Sequence, residues 1–110
     1  MPLKPINLKT RIKDIMNTPD LASRFASSIL KKRWPEAEPI ILKDPYSSYE
    51  YAKLVLKGRW PEAESIISKD TLSAYMYARE VIKGRWPQGE KAINKIPYFK
   101  KGYQHFLANL

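Results

Sequence analysis

Apolar residues recur every three to four positions along most of this chain, in stretches that stop at regular intervals. This spacing is typical of one face of an α-helix. In residues 43–68 the positions that follow it are Tyr49, Ala52, Val55 and Leu56. A second apolar stretch opens at Pro61, where a proline costs no hydrogen bond because the first turn of a helix has free N–H groups. The pattern therefore predicts a long helix of about 14 residues followed by a short one of about eight.

This pattern of a long and a short helix occurs three times, with a period of 26 residues. Residues 43–68 and 69–94 are identical at 14 of 26 positions, and residues 17–42 match the second copy at 12. Such periods are typical of helical units that bury their apolar faces against one another. The sequence therefore predicts an all-α fold in one domain, a short α-solenoid of helix-turn-helix repeats.

The flanking segments align with parts of the same unit. We assign residues 1–16 to an N-terminal cap, and residues 95–110 to a C-terminal capping helix that is more polar than the long helices inside the stack. Terminal repeats need a polar outer face, because it stops open-ended stacking. The predicted organisation is one cap, three repeats (17–42, 43–68, 69–94) and one capping helix.

Helix starts are marked by aspartate and proline. Asp44 and Asp70 are predicted N-caps of the second and third long helices, because a carboxylate there accepts a hydrogen bond from a free N–H group. Pro39 falls inside the first short helix and would remove one of its hydrogen bonds. We therefore expect this copy to be a short turn followed by a fresh helical start.

The segment between the two helices of a unit is nearly invariant. Glycine favours the left-handed conformation that ends many helices, so we predict that conformation at Gly58 and Gly84. We expect each tryptophan to fill the wedge between the helices, and the arginine before it to stack on the ring or reach a glutamate. Display of these residues to a ligand is the weaker alternative. The structural residues predicted in this segment are Trp34, Trp60, Trp86, Pro35, Pro61 and Pro87, together with the two glycines.

Tyrosine occupies two repeat positions with different expected roles. Tyr51, Tyr77 and Tyr103 share one position with Phe25, so we expect core residues with a hydroxyl group at the rim. Tyr49 and Tyr75 replace a serine of the first unit and are candidates for exposed contacts. Solenoids bind partners through such variable positions.

The net charge of +9 is concentrated at the two ends of the chain. Residues 1–34 contribute +6 and residues 95–110 contribute +3, whereas residues 35–94 hold nine basic and nine acidic residues. A solenoid that gripped a phosphate backbone along its length would show a basic stripe in every unit. We therefore expect nucleic acid to bind only weakly and through the ends.

Catalysis has little support in this sequence. There is no cysteine, His105 is the single histidine, and no phosphate-binding glycine loop or nucleophile–base pair is present. We expect no enzymatic activity, no cofactor and no metal. No apolar stretch is long enough for a signal peptide or a membrane span, so the sequence predicts a cytoplasmic protein without a membrane partner.

The repeat unit resembles a tandem repeat of mostly bacteriophage-encoded proteins, of the form D-P-x-x-A-Y-x-Y-A-x-x-V-I-K-G-R-W-P-E-A-E. The resemblance covers residues 17–94, where the chain reads DPYSSYEYAKLVLKGRWPEAE and DTLSAYMYAREVIKGRWPQGE. Thr71 and the pair Gln88-Gly89 depart from that form. The resemblance implies a phage origin, and with it a small protein that acts on host machinery in the host cytoplasm. It carries over no activity and no functional residue.

These observations favour a non-enzymatic module that binds another protein with an acidic surface, since clustered basic residues speed such encounters. A nucleic-acid-binding protein that uses its basic ends is the alternative, and a self-associating structural protein is a weaker one. The sequence leaves the oligomeric state open. The candidate partner-binding residues are Lys9, Arg11, Lys13, Arg24, Lys31, Lys32, Tyr49, Lys53, Tyr75, Arg79, Lys100 and Lys101.

Overall fold

A computed structural model describes the backbone from residue 8 and the side chains from residue 12, in both cases to residue 110. This part of the chain contains helices and no strand. The helices are α1 (Leu8–Met16), α2 (Pro19–Phe25), α3 (Glu38–Ile41), α4 (Pro45–Tyr51), α5 (Pro61–Ile67), α6 (Thr71–Tyr77), α7 (Pro87–Ile93) and α8 (Pro97–Ala108). Three of them continue into a wider π-helical turn, at Ala26–Leu30 after α2, Ala52–Leu56 after α4 and Ala78–Ile82 after α6.

The helices stack as a solenoid of repeats. The long helices α2, α4, α6 and α8 pack side by side in chain order, and each short helix packs against the long helix of its own unit. Each short helix also touches the next long helix, so that α5, for example, bridges α4 and α6. The predicted all-α helical repeat is confirmed.

The buried side chains repeat with the same period as the sequence. Alanine is fully buried at the first position of each π-helical turn, at Ala26, Ala52 and Ala78. An isoleucine is fully buried in each short helix, at Ile41, Ile67 and Ile93. The small alanine side chain lets neighbouring long helices approach closely, while the isoleucines fill the space between the two layers. The core is therefore one continuous row of equivalent contacts.

The predicted helix starts are confirmed. The Asp44 carboxylate accepts a hydrogen bond of 2.8 Å from the Ser47 N–H, and that of Asp70 accepts one of 3.0 Å from the Ser73 N–H. In the first unit a single 3₁₀ turn, Pro35–Ala37, precedes α3. Pro39 lies in the first turn of α3, where its missing N–H is tolerated.

The left-handed residue at the end of each long helix is a lysine. Lys31, Lys57 and Lys83 have φ angles of 52°, 56° and 59°, and no glycine among the described residues has a positive φ. The prediction for Gly58 and Gly84 is therefore wrong by one residue. The lysine N–H closes the π-helical turn by bonding to the carbonyl five residues earlier, so the reversal of the chain falls on the lysine itself.

Candidate interaction surfaces

A four-residue polar cluster joins the second repeat to the third. The Tyr77 hydroxyl accepts a 2.9 Å hydrogen bond from the Trp60 backbone N–H and donates a 2.6 Å bond to the Glu64 carboxylate. The Arg59 guanidinium donates two further bonds to that carboxylate, both of 2.8 Å. We call this set of an arginine, a tryptophan and a glutamate of one unit with a tyrosine of the next the clasp.

The same clasp forms at the two other junctions. At the first, the Tyr51 hydroxyl accepts from the Trp34 N–H at 2.8 Å and donates to Glu38 at 2.5 Å. At the last, the corresponding distances at the Tyr103 hydroxyl are both 2.9 Å. The tyrosine always comes from the following unit, so every clasp crosses a junction. Phe25 has no hydroxyl and closes no clasp, so the series starts with Arg33.

Burial and hydrogen bonding shift the ionisation of the clasp. The bonds from Arg59 hold the pKa of the Glu64 carboxyl below its ordinary value, against the opposing effect of burial. Only 7% of Glu64 is exposed. Burial, followed by the hydrogen bond to Glu38, raises the pKa of Tyr51 to about 12. The same two kinds of cause raise the pKa of Tyr77. The clasp is therefore stable as a charged carboxylate beside a neutral phenol.

The tryptophans fill the wedge that the sequence predicted. Trp60 and Trp86 are each 2% exposed, and their rings lie 4.9 Å from Tyr51 and 4.8 Å from Tyr77. Trp34 is half-buried against Phe25. We expected each arginine either to stack on the tryptophan ring or to reach a glutamate, and in the structure each arginine donates hydrogen bonds to the glutamate. Sequence reasoning missed the complete clasp, although in each copy the glutamate follows the arginine by five residues and the clasp tyrosine of the next unit follows the glutamate by thirteen.

The expectation that Tyr49 is exposed is wrong. Its side chain is 3% exposed, and burial raises its pKa to about 12. Tyr75, at the equivalent position of α6, is half-buried. Its ring packs edge-on against Phe99 at 5.4 Å, and its hydroxyl accepts a 3.1 Å hydrogen bond from Arg79. Stacking of the next long helix explains both results, because it covers much of this repeat position.

An exposed apolar side chain occupies another repeat position in α4, α6 and α8. We call these three residues the outer row, and they are Tyr46, Leu72 and Tyr98, with exposed fractions of 39%, 43% and 78%. In α2 the equivalent residue is Asp20. Sequence reasoning missed the row because a tyrosine, a leucine and a tyrosine do not register as one conserved type. Comparing polarity at a fixed repeat position would have revealed it.

A surface groove lies between α6 and α8. Its volume is about 370 Å³, and its lining residues are Tyr75, Tyr98, Lys101, Gly102 and His105. We call it the C-terminal groove. It brings together two of the predicted candidates, Tyr75 and Lys101, and Arg79 reaches its edge through the Tyr75 hydroxyl. Lys100 is exposed on the same helix without lining the groove.

A second groove, of about 360 Å³, lies between the π-helical ends of α4 and α6. It contains the predicted candidate Lys53, whose ammonium group lies 3.9 Å from the Glu80 carboxylate. The lysines of this groove are thus partly balanced by an acidic residue. Its other lining residues are Lys57, Gly58, Val81 and Lys83.

The basic candidates at the N-terminal end are spread over several elements. Lys13 is exposed on α1, Arg24 is exposed on α2, and Lys31 and Lys32 are exposed in the turn after the π-helical end of α2. The side chains of Lys9 and Arg11 lie outside the described part of the chain.

The chain matches no protein-family model, no curated protein and no solved structure at a significant level. Of the helices that the structure describes, none combines the length and the hydrophobicity that a membrane span requires.

Proposed function

We propose that this protein is a non-enzymatic binding module that engages another protein, one with an acidic surface, through the outer row and the basic residues beside it. The observation that carries the proposal is the outer row itself. The arginines and tryptophans of the repeated Arg-Trp-Pro segments already have structural roles, because the arginines pair with the clasp glutamates and the tryptophans pack in the wedge between the helices. The outer row takes part in no clasp and stays exposed in three consecutive long helices, although Tyr46 also packs against Tyr49 and Tyr98 against Phe99.

Alignment of the exposed residues distinguishes the outer row from ordinary surface composition. Single exposed apolar residues are common on soluble proteins, whereas contiguous apolar strips mark interaction sites. Packed helix axes lie about 8–10 Å apart. Tyr46, Leu72 and Tyr98 at one position of adjacent helices therefore form a strip that one partner can span. Repeat proteins commonly bind along such extended surfaces.

Charge at the C-terminal end of the row favours an acidic partner. Residues 95–110 contain Lys95, Lys100 and Lys101 and no acidic residue, and all three lysines are exposed. Tyr98, the most exposed member of the row, lies among them in sequence. Clustered positive charge attracts an acidic surface and raises the rate of association.

The proposal is tested by capture of partners from a nuclease-treated lysate. The test variant combines Tyr46→Asp with Leu72→Asp, since aspartate already stands at this position in α2. A matched control combines Ile29→Asp with Leu54→Asp, which removes two exposed apolar residues elsewhere at the same change of charge. We expect the outer-row variant to lose captured proteins that the wild type and the control retain. Equal capture by all three would overturn the proposal.

Nucleic-acid binding is the second candidate, and one observation favours it. A groove of about 300 Å³ beside α7 is lined by Lys69, Lys91 and Lys95 and by no acidic residue. Phosphate contacts by lysine give sequence-independent affinity that falls steeply with salt. If the wild type captures partners from an untreated lysate and loses them after nuclease treatment, this function replaces the first.

A further inference from the structure

We infer that the C-terminal groove is a docking site for an acidic linear peptide that places an aromatic side chain between Tyr75 and Tyr98. The inference rests on the proposed function, because it gives one location and one ligand chemistry to the protein-binding module. The groove shares Tyr98 with the outer row, and its other lining residues lie outside that row.

The chemistry of the lining selects the ligand. Two phenol rings, the Lys101 ammonium group and the His105 imidazole line the groove, and none of its lining residues is acidic. Aromatic rings favour an aromatic guest by edge-to-face or offset packing, which adds to the effect of the apolar area buried. The lysine favours a carboxylate beside that guest. An aromatic residue with acidic neighbours meets both requirements in one segment.

One aromatic wall of the groove, formed by Tyr75, is already held in place by its neighbours. Tyr75 is held by the 3.1 Å hydrogen bond from Arg79 and by Phe99, whose ring also packs edge-on against Tyr98 at 5.2 Å. Gly102 allows this arrangement, because a β-carbon there would lie 2.7 Å from the Tyr75 hydroxyl oxygen. A preorganised wall loses little conformational entropy when a ligand binds.

The size of the groove favours a short segment over a folded surface. Its volume is about 370 Å³, at the lower end of the roughly 300–1,000 Å³ of small-ligand sites. That space suits one inserted side chain with its neighbours along the rim. A nucleic acid is disfavoured, because only Lys101 among the lining residues carries a permanent positive charge and phosphate affinity depends on several such contacts.

The test is to titrate the full chain with a short synthetic peptide in which glutamates flank one phenylalanine, and to monitor the titration by the NMR shifts of the backbone amides. We expect amide shifts to concentrate at Tyr98, Lys101 and His105. A matched peptide with alanine in place of phenylalanine should bind about tenfold more weakly or worse, which corresponds to roughly 1.4 kcal/mol. An unstructured oligonucleotide serves as the competing ligand.

Protein variants separate the groove from general charge attraction. Tyr98→Ala and Lys101→Glu should each weaken peptide binding about tenfold or more, a loss typical of an interface anchor. Lys100→Glu changes the charge equally on the adjacent residue, outside the groove, and should change the affinity by less than about twofold. All three side chains are exposed, so the fold should survive, as circular dichroism will check.

Three outcomes of these comparisons between variants and between ligands would overturn the inference. These are equal losses in Lys100→Glu and Lys101→Glu, equal binding of the alanine peptide, and shifts produced by the oligonucleotide at lower concentration than by the peptide. Failure of the peptide to bind would also overturn it. That failure leaves the lysate experiment intact, because the outer-row variant there changes Tyr46 and Leu72 and not the groove.

Discussion

At the scale of single residues, the clasp depends on one hydroxyl group with two hydrogen-bonding roles. A buried backbone N–H must find a partner, and so must a buried carboxylate. The Tyr77 hydroxyl meets both needs, because a phenol accepts from the Trp60 N–H while it donates to Glu64. A phenylalanine fits the same space but does neither. Phenylalanine stands at this repeat position only in the first unit, as Phe25, where there is no preceding unit whose clasp a hydroxyl would complete.

Tyr77→Phe should therefore destabilise the protein although it keeps the ring. The change leaves the Trp60 N–H without its partner and removes one donor from Glu64, and we expect a loss of about 1–3 kcal/mol in urea unfolding. Tyr98→Phe is the matched control, because its side chain is 78% exposed and its loss should be close to zero. Similar midpoints for the two variants would show that the clasp does not hold the units together.

Gly89→Ala should also destabilise the protein, although the equivalent residues of the other units are Ala37 and Ala63. A β-carbon at Gly89 would lie 2.5 Å from Cε3 of Trp86, and the buried ring has little room to shift. Helix propensity alone predicts a gain of about 0.5–1 kcal/mol. Overpacking typically costs about 1–3 kcal/mol, so we expect a net loss. A gain in melting temperature would contradict this account.

At the scale of helices, the ends of the long helices carry backbone strain in a lysine. A left-handed conformation costs a non-glycine residue roughly 1–2 kcal/mol, and it recurs at Lys31, Lys57 and Lys83. The glycines that follow have no such requirement, and a β-carbon on Gly58 would meet nothing within 4 Å. The first unit shows the same tolerance, because Lys32 stands where the other units have glycine.

We therefore expect glycine to stabilise the protein relative to alanine at position 57, and not at position 58. Lys57→Gly should be more stable than Lys57→Ala by about 1 kcal/mol, because both remove the charge and only glycine relieves the left-handed strain. Gly58→Ala should be neutral or stabilising by up to about 1 kcal/mol. Thermal melts of the three variants measure the order. A destabilised Gly58→Ala would restore glycine as the essential residue.

At the scale of the whole molecule, the clasps couple stability to pH at both extremes. Arginine lowers the pKa of Glu38, Glu64 and Glu90, so the folded state binds fewer protons than the unfolded chain in acid. Stability should then fall as pH drops below about 4.3, the ordinary glutamate value. Burial raises the pKa of Tyr51 to about 12, so stability should fall again above about pH 10, where unfolded tyrosine ionises.

Urea titrations from about pH 3 to pH 12 will measure both declines. The alkaline decline should become smaller in Tyr77→Phe, because the raised pKa of Tyr77 contributes to it and phenylalanine does not ionise. A free energy of unfolding that stays constant between pH 10 and pH 12 would argue against buried, neutral tyrosines.

Features set by local sequence were predictable, and features set by distant contacts were not. The 26-residue period, the caps at Asp44 and Asp70, and the tryptophan wedge follow from spacing and from the preferences of single residue types. The clasp joins Trp60 to Tyr77 across 17 residues, and burial of Tyr49 depends on packing against a neighbouring unit. The C-terminal groove depends on Gly102, because Tyr75 packs where a β-carbon would otherwise lie. The sequence alone does not show that these two residues are in contact.

Because every junction uses the same four repeat positions, any unit that carries the clasp tyrosine can follow any other unit in the same way. Consider a second copy of residues 43–68 inserted after Ser68. The tyrosine of the copy would form a clasp with Arg59, Trp60 and Glu64. The arginine, tryptophan and glutamate of the copy would form the next clasp with Tyr77. No buried polar group would lose its partner. The lengthened protein should fold with helical content in proportion to its length, which circular dichroism can measure. The number of units, and with it the length of the outer row, can therefore change by duplication without redesign of either end.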